Sequence, residues 1–199
     1  GPWAWFSDPG RYPQFETAVA GLQSGTNADA VWGLYGPVLK SIVDFAVGKA
    51  VDPWVVFNSN IWDLSNLAST QPARYAQMGT DPTALAAYYA DWKAGALTWV
   101  DFLQTRVLPS EKQDQIVLWS LHDVPIARLP AKWRSPVLYN NAFFHQINAN
   151  MLAVAQEKNL VFLDWSAYLS AQPEPRLRDN MHPSIIYTAV LEKNMIDTI

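Results

Sequence analysis

"YNNAFFHQINANMLAVAQEKNLVFLDW", residues 139–165, contains the two elements whose alternation decides the fold. Asn141 to Lys158 reads as a helix, and Leu160–Asp164 is an apolar run too short for a helix and suited to a buried strand. Runs of the same kind, rich in Val, Ile, Phe and Trp, occur at Trp3–Phe6, Ala30–Tyr35, Trp54–Asn58 and Ile116–Trp119. Helical stretches separate them. Phe15–Gln23 is short, whereas Pro37–Lys49 opens on proline and sets Val38, Ile42, Phe45 and Ala46 on one face, which is expected to pack on the sheet. Asp81-Pro82 starts a long helix through Leu108, with Asp81 as N-cap, Pro82 in the first turn and Pro109 marking the end. Pro183 to Ile196 is the last helix. Strands alternating with helices predict an α/β fold: three α/β/α layers around a five-stranded parallel sheet.

The bulk numbers fit one domain over residues 1–199, since 50% hydrophobic content at this length supplies a substantial core. Only 16% of residues are charged and the formal charge is -4, so no basic field exists to hold a nucleic acid. No apolar run approaches the roughly 20 residues that span a bilayer, and the start does not resemble a secretion signal. Gly1-Pro2 looks like the scar left by a tag-removing protease, and localisation stays open. The absence of N-x-S/T sites favours a compartment without N-glycosylation. Zero cysteines exclude disulfides, thiolate nucleophiles and cysteine-ligated zinc, and the three histidines show no metal-ligand spacing. Neither a metal nor another cofactor is expected. Ten tryptophans fit a heavy core or a cleft lined for sugars or acyl chains, core being the commoner fate.

Parallel sheets bind ligands at the carboxyl ends of their strands, so the loops that follow the strands are where chemistry belongs. These are "GLYGP" (33–37), "NSNIWDL" (58–64), "SLHDVP" (120–125) and "RDNMHPS" (178–184). In the last, Asp179 lies three residues before His182, a spacing that lets a carboxylate fix an imidazole's tautomer and stabilise its protonated form. An isolated D-x-x-H also arises by chance in solvated turns, so its place after the last strand matters more than its letters.

The order of elements, "WVVFNSNIWDLSN" (54–66), "QIVLWSLHDVP" (115–125), the passage 139–165 and "DNMHP" (179–183) together resemble the SGNH, or GDSL-type, hydrolase superfamily, which has a flavodoxin-like sheet. Within it, N-S-x-x-W-D-L most resembles the PC-esterase branch, which includes plant polysaccharide O-acetyltransferases. The resemblance runs from Trp32 to the end and is poor before that. It implies His182 as general base and Asp179 as its partner, with Gly36 as backbone donor and Asn60, or else Asn58, as side-chain donor of an oxyanion hole. Such a hole aims fixed dipoles at the charge developing on a carbonyl oxygen.

Each residue also has a plainer reading. Gly36 precedes a proline and fits a turn or helix entry, while Asn58 and Asn60 fit Asx-type loop bonds. A glycine is common in the branch where Asn60 stands. The Gly-Asp-Ser signature is absent, as is the elbow G-x-S-x-G. The nearest nucleophile is Ser7 in "WAWFSDPGR" (3–11), at the carboxyl end of the predicted first strand, although Pro9-Gly10 also suits a plain turn. Since the family's first strand is central, either Trp3–Phe6 fills that slot or another segment does.

His122 and Asp123 fit a substrate contact or supporting pair in the same cleft, though a loop-capping pair is the commoner case; His145 reads as a surface or core histidine with no task, Asp63 as a loop brace, and Arg176 and Arg178 as holders of an anionic substrate or, more commonly, as solvated. The expected function is an esterase or O-acyltransferase acting, without cofactor, on an acyl ester of a carbohydrate or small alcohol. The alternative is a degenerate relative that lacks its nucleophile and serves as a binding or structural module with a protein partner.

Overall fold

The computed structural model describes residues 28–57, 67–68, 71–125, 127, 141–173, 177 and 182–198. In these, β1 (Val55–Phe57), β2 (Ile116–Trp119) and β3 (Val161–Leu163) form a parallel sheet in the order β1-β2-β3. The register sets Val55 opposite Ile116 and Leu118 opposite Phe162. Parallel neighbours need a crossover, and helices supply it. Between β1 and β2 run α2 (Pro72–Met78) and α3 (Pro82–Phe102), and between β2 and β3 runs α4 (Asn141–Lys158). Two helices follow β3: α5 (Trp165–Ser170) and α6 (Ile185–Thr198). Ahead of β1 stands α1 (Ala28–Gly48).

The strands lie where short β-branched runs meet burial on both faces. Ile116 and Leu118 face the main core, built with Tyr88, Val100, Phe144 and Met151. Trp119 and Leu163 lie against a smaller cluster of Trp165, Leu169 and Leu191. Ile116, Val117 and Leu118 are all buried, as a strand covered on both sides must be. Of the tryptophans whose burial is described, Trp92 and Trp165 are core residues.

Helix boundaries follow local chemistry. Asp81 Oδ1 accepts the N–H of Thr83 at 2.8 Å and caps α3 as its Asp-Pro start predicts. The far end of α3 loosens into a π-helical turn, Leu103–Val107, closed by Leu108 N–H donating to the Leu103 carbonyl, and the chain leaves extended into Pro109. α4 ends at a left-handed residue, Asn159 (φ 53°). Its N–H reaches the Gln156 carbonyl, and the next N–H, of Leu160, reaches Ala155. α1 ends the same way on Ala50 (φ 56°), with Ala50 N–H on Val47 and Val51 N–H on Ala46.

Two expectations are corrected. Residues 30–35 are helical rather than a strand, and α1 runs on through Gly36 and Pro37 without a break. A six-residue apolar run carries no alternation, so periodicity cannot separate strand from helix there. The face of α1 carrying Val38, Ile42 and Phe45 is also turned outward, at 59%, 60% and 68% exposure. Val43 and Leu39 face the core instead, and α1 packs on α3 and the π-helical turn rather than on the sheet. Three strands of the expected five are described. Trp3–Phe6 and Phe15–Gln23 lie outside the described residues. Among those residues, no helix is long and apolar enough to cross a membrane.

Candidate active site

The carboxyl edge of the sheet is fastened by one buried hydroxyl. Ser120, 2% exposed, directly follows β2. Its Oγ donates to Asp164 Oδ1 at 3.0 Å and accepts the Ser166 N–H at 2.7 Å. Asp164 directly follows β3, and its Oδ1 also accepts the Ala167 N–H at 3.0 Å, capping α5. The ends of β2 and β3 and the start of α5 are thereby joined at one point, because burial forces the Ser120 hydroxyl to find partners.

One face of α4 holds the loop after β2. Asn141, His145 and Asn148 sit four and three residues apart, the spacing that aligns side chains along a helix. Asn148 Oδ1 accepts the Leu121 N–H and its Nδ2 donates to the Leu121 carbonyl, each at 2.7 Å. His145 Nε2 meets Asp123 Oδ1 at 2.8 Å, and Asn141 Oδ1 accepts the Val124 N–H at 3.2 Å. Between this face of α4, β3 and α5 opens a cleft of about 450 Å³ lined by Asp123, His145, Asn148, Leu152, Phe162, Asp164, Ser166 and Ser170. Its lining contains two carboxylates and no Lys or Arg, so its field favours neutral or cationic ligands.

Ahead of α6, Leu177 shares its packing with the ends of β2 and β3. Leu177 and Pro183 form an isolated antiparallel bridge, which draws together the ends of the segment containing Asp179 and His182. Leu177 packs on the cluster of Trp165, Leu169 and Leu191, to which Trp119 and Leu163, the last residues of β2 and β3, also belong. Tyr187 Oη donates to the Pro173 carbonyl at 3.2 Å and ties the first turn of α6 to the chain after α5. His182 is exposed.

Of the predicted site residues, Ser7, Asn58, Asn60 and Asp179 lie outside the described residues, as do Asp63, Arg176 and Arg178. Gly36 lies within α1, so the strand exit on which its donor role depended is replaced by helix. The structure pairs Asp123 with His145 across 22 residues, where the sequence suggested the adjacent His122. The signal available for this was the Asn-His-Asn spacing on α4. Groups with shifted titration lie elsewhere. Lys112 and then Gln115 hold Asp52 below the usual carboxylate range beside the start of β2, and burial raises Tyr89 on α3. Among the described residues, no group of three His, Cys, Asp or Glu is arranged for a metal ion. No protein-family model matches the chain, and neither the curated proteins nor the solved structures include a match.

Proposed function

We propose that the chain is a serine esterase or O-acyltransferase of the SGNH type, acting on an acyl ester of a carbohydrate or small alcohol. The observation that supports this reading is that Leu177, bridged to Pro183, packs on the same cluster as Trp119 and Leu163, the last residues of two parallel strands. That is where ligands meet such sheets. In the reaction, His182 takes the proton of the Ser7 hydroxyl as Oγ attacks the ester carbonyl carbon, and Asp179 steadies the imidazolium. The alkoxide leaves with that proton, and water or a second hydroxyl then takes the acyl group. Asn60, or Asn58, follows β1 and donates to the oxyanion. With Gly36 inside α1, this reading assigns no backbone donor. A neutral acyl ester as partner suits a chain of net charge -4 better than a nucleic acid does.

The absent Gly-Asp-Ser signature favours a second reading, a frame that has lost its nucleophile and serves as a binding or structural module. Treatment of the full chain with a serine-reactive fluorophosphonate, followed by peptide mass spectrometry, separates the two. An adduct on Ser7 that disappears in His182→Ala supports the esterase. A folded protein with no adduct on Ser7 overturns it.

A further inference from the structure

We infer that the cleft between α4 and α5 is a separate nucleophilic site in which Ser166 is the nucleophile, His145 the general base and Asp123 the residue that positions it. This inference does not rest on the Asp179–His182 loop. Leu177, which precedes that loop, packs with Trp165 and Leu169 of α5, whereas Ser166 lines the cleft.

Three observations converge on it. The Asp123 carboxylate meets His145 Nε2 at 2.8 Å, and the backbone around it is tied to α4 at Leu121, two residues before, by Asn148 and at Val124, the next residue, by Asn141. With Nε2 so held, Nδ1 is the ring nitrogen left to accept a proton, and the pair has the logic of a carboxylate-oriented base. Ser166 is fixed through its backbone, since its N–H is bound to the buried Ser120 hydroxyl at 2.7 Å. Ser166 is one of the residues that line the cleft, with His145 and Asp123. A serine, an imidazole and a carboxylate thus line one concave surface.

The step balances without any added group. The Ser166 hydroxyl proton passes to His145 Nδ1 as Oγ bonds to the acyl carbon. The ester C–O bond then breaks, and the departing alkoxide takes that proton. Water next attacks the acyl-serine and gives its proton to His145; the acyl C–Oγ bond breaks, the acid leaves, and Ser166 Oγ takes that proton back from His145. The lining selects the substrate class. Asp123 and Asp164 repel anionic esters, and Leu152 and Phe162 offer an apolar wall for a short acyl group, so the site takes neutral esters.

The test uses the full chain. After exposure to the fluorophosphonate, mapping is expected to find an adduct on Ser166, formed roughly 10²–10⁴-fold more slowly in His145→Ala and unaffected in His182→Ala. His145 is 59% exposed, so its substitution spares the core, and circular dichroism verifies the fold. Asp123→Asn is expected to lower kcat on a neutral chromogenic ester while leaving KM in place, a split that simple loosening of the loop does not produce. An adduct confined to Ser7 and dependent on His182 overturns this inference and leaves the preceding one standing. An adduct on Ser166 that persists in His145→Ala also overturns it. No adduct anywhere on folded protein overturns both.

Discussion

Ser120 shows how one side chain can define an edge. Its hydroxyl is buried and serves both Asp164 and the Ser166 N–H, so Ser120→Ala removes both bonds and leaves the part-buried Ser166 N–H without this partner. The expected loss is about 1–3 kcal/mol, read as a lower midpoint in urea. Ala50 makes the opposite prediction. It ends α1 in the left-handed region (φ 56°), where a Cβ is disfavoured and glycine is not. Ala50→Gly is therefore expected to stabilise the fold by about 0.5–1 kcal/mol in the same measurement, and destabilisation would contradict the assigned cap. At this scale the sequence was legible where chemistry is local. Asp81-Pro82 announces a helix start because both residues act on their own turn. The Asp123–His145 pair was not legible, since only the crossover of α4 brings the two together.

Elements were legible in proportion to how far their pattern repeats. The 18 residues of α4 and the 21 of α3 carry enough turns to establish a helix from sequence, and the runs giving β1, β2 and β3 are bounded by polar residues. α1 was misread at its start, because a six-residue apolar run followed by Gly36-Pro37 resembles a strand and its exit. α5 was missed because six residues hold less than two turns; only the Asp164 cap marks it. The cap of α3 also has a pH signature. The Thr83 N–H above all lowers the Asp81 carboxyl below its ordinary 3.8. A carboxyl depressed in the folded state adds stability above its unfolded value, and that contribution fades as pH falls through the folded value. Asp81→Ala is thus expected to lower Tm at neutral pH, with the gap to the parent protein closing in acid below the ordinary carboxyl range. A gap unchanged across that range would contradict the cap.

For the molecule as a whole, the buried frame and the chemistry sit at opposite degrees of exposure. Leu118, fully buried in the middle strand, belongs to the core shared by α3 and α4. Leu118→Ala is expected to cost about 2–5 kcal/mol in denaturant unfolding. His145, by contrast, is exposed at the rim, and its loss is expected to change turnover and not the unfolding midpoint. The α/β class and the parallel direction of the sheet were legible because alternation is a property of the whole chain. Among the predicted catalytic groups, His182 is exposed, while Asp179, Ser7 and the predicted first strand lie outside the described residues.

The central proposal is that the imidazoles of His182 and His145 drive ester chemistry. Turnover of p-nitrophenyl acetate by the full chain, compared among His182→Ala, His145→Ala and the double variant, tests it most directly. Each single variant is expected to lose the share of turnover belonging to its own site, and the double variant to fall to the rate of buffer alone. A folded double variant that hydrolyses the ester as fast as the parent protein would contradict the claim.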